Sequence, residues 1–140
     1  MEPRIGQSLP SVRRSITQGD VERYAQASGD FNPIHVDQEF ARASQFGGTI
    51  AHGMMVAASL SEVMSRAFGL PWARSGRLKI HFRSPVRPGD TYEATGQVKA
   101  VKPVEAGLEV TCALEVRILE GETAITGEAK VTLPQRQEDP

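Results

Sequence analysis

A carboxylate and an imidazole stand five residues apart in Asp30-Phe31-Asn32-Pro33-Ile34-His35. If this loop folds back, the pair can hold one water and move its protons. Histidine titrates near neutral pH, and an aspartate can orient it or share the proton. Loops braced by helices are where catalytic side chains collect. The same residues have a structural use: Asp30 can cap the turn after Gly29, and His35 can cap the helix that follows. Spacing alone leans toward that use. Gly53 adds a second element. It opens a long apolar segment, where unpaired N–H groups and the positive end of a helix dipole point outward. An amide there can polarise a carbonyl and stabilise an enolate-like oxyanion, and glycine permits close approach. A tight turn entry after Gly47-Gly48 accounts for Gly53 equally well. His52, just before that segment, has structural and functional uses in balance. His81 sits between Lys79 and Arg83 on the polar side of a strand and reads as surface.

Other chemistries lack support. Ser59, Ser61 and Ser65 interrupt the apolar segment, none in a G-x-S-x-G context, so a covalent serine mechanism is not indicated. The single cysteine, Cys112, falls on the apolar side of a strand and reads as core. It forms no intrachain disulfide, and no Cys/His cluster has metal-ligand spacing. Met54, Met55 and Met64 read as core packing. Neither a dinucleotide fingerprint nor a P-loop is present. The formal net charge is −1, which gives no reason to expect nucleic acid or an anionic membrane as partner. Arg74, Arg77, Lys79, Arg83 and Arg87 form a basic stretch that reads as a solvated sheet face.

The elements around these residues follow from patterning. Thr17-Gln18-Gly19-Asp20 predicts a helix start, with Thr17 accepting from the Asp20 amide and Ile16 and Val21 at staple spacing. That helix stops near Gly29. Pro33 disfavours helix at Asn32, and a short helix is predicted from Asp37 to before Gly47-Gly48. From His52 to Phe68, apolar residues cover nearly the whole circumference, which predicts a helix buried on most sides.

The second half has period two. Strands are predicted through Leu78-Ile80-Phe82, Tyr92 to Ala100, Leu108 to Ile118 and Ile125 to Leu133, each with one apolar face. Pro88-Gly89-Asp90, Lys102-Pro103 and Glu120-Gly121-Glu122 supply the breaks. A fifth strand is predicted around Ser8 to Ile16. A curved sheet with one apolar face needs a cover, and an all-apolar helix needs a wrap. The predicted class is therefore α+β: a hot-dog fold, one long buried helix gripped by an antiparallel sheet. The 140 residues suit one domain over 1–140, with 134–140 a frayed tail. The start has no signal-peptide shape, and no apolar run spans a bilayer. A cytoplasmic protein is expected.

Two segments also carry a family resemblance. Tyr24-Ala25-Gln26-Ala27-Ser28-Gly29-Asp30-Phe31-Asn32-Pro33-Ile34-His35-Val36-Asp37 resembles the hydratase signature of the MaoC-like dehydratase/hydratase family. Ile50-Ala51-His52-Gly53-Met54-Met55 resembles that family's second motif, at a matching separation. The strands from Leu78 to Leu133 fit the family's sheet, so the resemblance spans nearly the whole chain, with no departure at the motif positions. It implies a hot-dog homodimer with a sheet continuous across two subunits. It also implies the activity of the family's small (R)-specific enoyl-CoA hydratases in fatty acid metabolism. These add water to trans-2-enoyl-CoA to give (R)-3-hydroxyacyl-CoA, without metal or organic cofactor. Carried over by position, Asp30 and His35 become the catalytic pair, His35 as base toward water and Asp30 as proton donor, acting as one coupled unit. The Gly53 amide becomes the oxyanion donor. Asn32 braces the loop or binds the water, His52 supports the site, and Ser61 matches a serine that some members place near it.

Three functions are thus carried forward. The first is hydration, or the reverse dehydration, of an acyl-CoA or acyl carrier protein thioester. The second is thioester hydrolysis on the same fold, against which the intact Asp30/Asn32/His35 loop speaks. The third is a non-catalytic thioester-binding subunit, whose expected mark, loss of the Asp or the His, is missing. Gly47-Gly48 and Gly69-Leu70-Pro71-Trp72 are expected to shape an acyl pocket.

Overall fold

Thr17 starts the first helix as its residue pattern requires. Its hydroxyl accepts from the Asp20 N–H, and the Asp20 carboxylate accepts from the Thr17 N–H, a reciprocal capping box. Ile16 and Val21 are both buried beside it. Gly29 ends the helix in the left-handed region at φ 78°, a conformation glycine adopts without steric cost. The computed structural model describes residues 2–135. Its elements are β1 (Val12–Ser15), α1 (Gln18–Ser28), α2 (Pro33–Val36), α3 (Gln38–Arg42), α4 (Gly53–Phe68), α5 (Leu70–Ser75), β2 (Arg77–Phe82), β3 (Thr91–Val104), β4 (Gly107–Ile118) and β5 (Thr123–Pro134).

All strand pairs are antiparallel, in the order β1-β3-β4-β5-β2. β3, β4 and β5 form a meander, and β1 and β2 are its edges. α4 lies against β1, β3, β4 and β5. Leu60, Val63 and Met64 on α4 are fully buried in one cluster with Val98, Val110, Cys112, Val116 and Val131 of the sheet. Each such side chain contributes about 1.5–3 kcal/mol through burial. This is the hot-dog arrangement: one long helix held in the concave face of an antiparallel sheet. Among the described residues, no helix is long and apolar enough to cross a membrane.

Five expectations are corrected. α4 is not buried on most sides within one chain: Met54 is 63% exposed and Ala58 is also exposed. β2 is exposed along nearly its whole length, Ile80 being the partly covered exception, because an edge strand packs against β5 alone. Lys102-Pro103 is no break. β3 runs through it and turns at Glu105-Ala106. β1 reaches only to Ala94 on β3's other side, so at Pro103 that side is an open edge, where a missing N–H removes no ladder bond. A register shift between Val98 and Ala100 flips the faces of β3, leaving Ala100 exposed and Val101 packed on the core. Pro134 belongs to β5 rather than to a tail; residues 136–140 of the expected tail lie outside the described residues.

Candidate active site

The turn after Gly29 is built from side chains that hydrogen-bond their own main chain. Asp30 Oδ1 accepts from the Asn32 N–H at 3.2 Å, and Asn32 Oδ1 accepts from the Ile34 N–H at 3.1 Å. Asn32 is thereby the N-cap of α2, with Pro33 at its first position. His35 therefore sits inside a one-turn helix rather than closing a loop, and it caps nothing. Its ring is turned inward: only 8% of the residue is exposed.

A second segment meets this one. The Ile50 N–H donates to the Ile34 carbonyl at 3.2 Å, and the Ile50 carbonyl pairs with His35 Nδ1 at 2.8 Å. A carbonyl oxygen only accepts, so Nδ1 carries the proton and the neutral ring has its lone pair on Nε2. Gln18 ties the two segments to α1, donating to the His35 carbonyl and accepting from Thr49 Oγ1, both at 2.8 Å. His52 is 2% exposed. Its ring stacks on His35 with centroids 3.8 Å apart and planes at 25°, and its Nε2 pairs with the Asp30 main-chain carbonyl at 2.9 Å. By the same logic His52 carries its proton on Nε2. Its Nδ1 is buried with no hydrogen-bond partner among the described residues, at an expected cost of about 1–3 kcal/mol.

Asp30, His35 and His52 line one wall of a cavity of about 630 Å³. The other walls are mostly apolar and include Phe46, Ile50, Val56, Phe82, Val86 and Ile125. Gly53 is the first residue of α4 and faces this cavity; at that position its N–H has no intrahelical acceptor. A β-carbon on Gly53 would lie 2.6 Å from Phe82 Cε1, so this glycine is required by the ring packed against it as well as by any ligand. An oxygen of Asp30 and one ring nitrogen each of His35 and His52 lie within 4.8 Å of one another. Stacked rings direct their in-plane lone pairs side by side rather than at one ion, so the set fits proton transfer better than metal ligation.

The sequence-derived residues thus divide. Asp30, His35, His52 and Gly53 converge on the cavity. Asn32 braces the turn. Ser61 does not line the cavity; its hydroxyl accepts from Trp72 Nε1 at 2.9 Å. Gly47-Gly48 and Gly69-Leu70-Pro71-Trp72 stay outside the lining as well, where Phe46 takes part instead. His81 is exposed as expected. Tyr24 and Phe82 were missed. Tyr24 packs its ring 4.8 Å from His52. Its position one residue before the buried Ala25 gave no sign of that contact. Phe82 showed only the alternation of a core residue.

A hot-dog fold with an Asp/His pair at an apolar cavity beside a helix N-terminus defines the class of protein. Residues 1–117 match the MaoC like domain, and the chain belongs to that family. It is 34% identical to a 3-hydroxybutyryl-CoA dehydratase of Methylorubrum extorquens, covering 91% of this chain and 79% of the relative. It is 35% identical to an (R)-specific enoyl-CoA hydratase of Rhodospirillum rubrum, covering 94% and 88%. The unliganded R-hydratase of Pseudomonas aeruginosa superposes with a TM-score of 0.79 at 28% identity, covering 98% of this chain and 90% of the other.

Proposed function

We propose that this protein is a hydro-lyase that adds one water to a trans-2-enoyl thioester, giving an (R)-3-hydroxyacyl thioester, or runs the reverse dehydration. The observation that carries the reading is the bond from His35 Nδ1–H to the Ile50 carbonyl. It leaves Nε2 free to act as a base, in a ring that lines, together with Asp30, an apolar cavity that suits an acyl chain. Its relatives' names supply the thioester and the (R) configuration.

In this mechanism the pair holds one proton. His35 Nε2 takes a proton from water as the water oxygen bonds to the β carbon. The α carbon takes the pair's proton from Asp30, and an internal transfer from His35 to Asp30 restores the starting state. Between these events negative charge collects on the thioester oxygen, which the Gly53 N–H receives. Asn32 acts through the turn it caps. No step calls on a metal or an organic cofactor. The thiol carrier is CoA or acyl carrier protein.

We further propose a homodimer formed through β2. Among the described residues that strand pairs with β5 on one side only, and it leaves Leu78 37% and Phe82 56% exposed. A second copy would extend the sheet and cover them. A sedimentation mass of twice 15.2 kDa is expected; a monomer at micromolar concentration would contradict it. The buried free thiol of Cys112 suits a reducing cytoplasm.

The functional test is mixing with crotonyl-CoA and following loss of the enoyl-thioester absorbance. Loss without release of free thiol supports hydration. Thiol release from a saturated acyl-CoA at a comparable rate would favour hydrolysis. Binding without turnover across short, long and branched enoyl-CoAs would favour a non-catalytic subunit.

A further inference from the structure

We infer that His52 is a positioning residue, which holds Asp30 through its Nε2–H and backs His35 with its ring face. The inference rests on the hydration reading and gives the second imidazole a defined task in it.

His52 occupies the N-cap position of α4 but makes no capping bond with its side chain. The imidazole turns instead toward the turn after α1. There it donates to the Asp30 carbonyl, 22 residues earlier in the chain. Asp30 itself is exposed, and among the described residues its carboxylate is tied only to the Asn32 N–H within its own turn. The bond from His52 is therefore what ties the acid's main chain to the buried part of the molecule. The same short segment fixes the base, because the Ile50 carbonyl orients His35 and the His52 ring stacks on it. Tyr24 contacts the His52 ring from α1, and the Ala51 N–H is anchored on the Val86 carbonyl at 2.7 Å. Both members of the pair are thus set by one anchored tripeptide, Ile50-Ala51-His52.

The idle nitrogen points the same way. His52 Nδ1 is buried and unpartnered among the described residues, a cost that a purely packing side chain would not carry. Phenylalanine would stack without donating, and glutamine would donate without stacking. Imidazole does both in the space available, at the expense of one unused acceptor.

The test compares His52→Phe with His52→Gln in the crotonyl-CoA assay, with folding checked by circular dichroism. For His52→Phe, kcat is expected to fall about 100-fold, within the range for a misplaced acid–base pair, while KM moves less than about threefold. His52→Gln, which restores the donor, is expected to recover about tenfold of that loss. Nitrogen-15 NMR of the wild type should show the His52 proton on Nε2 and a bare Nδ1. A His52→Phe enzyme with wild-type kcat would overturn the inference. So would two folded variants with equal losses, or the opposite tautomer. If His52→Phe fails to fold, the glutamine variant decides alone: a kcat as low as about 1% of wild type would reject the donor role. Wild-type turnover scores the hydration reading separately, and the tautomer is read without turnover.

Discussion

The sheet core and the end of α4 that carries the cavity are built on opposite rules. Four polar residues are buried among the described residues: His35, Thr49, His52 and Ser59. Three of them lie from α2 to the start of α4, where His35 and His52 line the cavity and Thr49 bonds Gln18. The fourth, Ser59, returns its hydroxyl to its own helix at the Val56 carbonyl. The sheet's buried faces are valines, alanines, Ile125, Leu114, Tyr92 and Cys112. Around Cys112 the medium is apolar enough that burial pushes its thiol up to about 11. One region spends its interior on packing, and the other on hydrogen bonds that fix tautomers. The difference teaches that stability and chemistry are separable here by position.

The largest effects should appear where that separation is attacked at the cavity. Asp30→Asn and His35→Ala should each lower kcat by about 10²–10⁴-fold with the fold intact. Near-normal turnover in either variant would remove that residue from the mechanism. Leu60→Ala should do the reverse. The side chain is fully buried, so unfolding free energy should drop by about 2–5 kcal/mol while kcat per folded molecule holds. A matching fall in kcat would show that core and site are not independent.

Gly53→Ala sits on the border between the two regions. Its new methyl must push the Phe82 ring, and that ring is on an exposed edge strand. A loss of stability of about 1 kcal/mol is expected, relieved by adding Phe82→Leu. Denaturant melts of the two single variants and the double variant measure this. A strictly additive cycle would mean the ring is not what demands glycine.

The smallest effect concerns acid. The Thr17 main-chain N–H, followed by the Thr17 side chain and Arg23, holds the Asp20 carboxyl below its ordinary 3.8. A carboxyl lowered on folding stabilises the protein above its unfolded value, and that contribution is lost as pH falls through the folded value. Asp20→Asn should therefore flatten the stability profile slightly below pH ~4 and leave it otherwise unchanged. An identical acid limb in both proteins would count against the capping box.

Much of this was legible in the sequence. Alternation found β4 and β5 and most of β3, and Thr17, Asp20 and Gly29 bounded α1 correctly. What escaped depends on partners that local patterns do not encode. Leu78 and Phe82 alternate like core residues, yet within one chain they lie on an edge with no cover. The register shift after Val98 leaves no residue-type mark, so the faces of β3 past it were assigned wrongly. Pro33 keeps Asn32 out of the helix as expected, but the segment read as a loop as far as His35 holds a one-turn helix that starts at Pro33, its favoured first position. At the site, Asp30, His35 and Gly53 could be named from spacing and motif. The stack of His52 on His35 joins segments 17 residues apart, and only the fold displays it.

The most direct test of the central claim is hydration of crotonyl-CoA in deuterium oxide, with configuration and isotope content read in the product. Addition of one water by the Asp30/His35 pair predicts (R)-3-hydroxybutyryl-CoA with a single deuterium on the α carbon, and almost none of it from Asp30→Asn. An (S) product, free thiol in place of a hydroxyacyl thioester, or undiminished product from Asp30→Asn would contradict it.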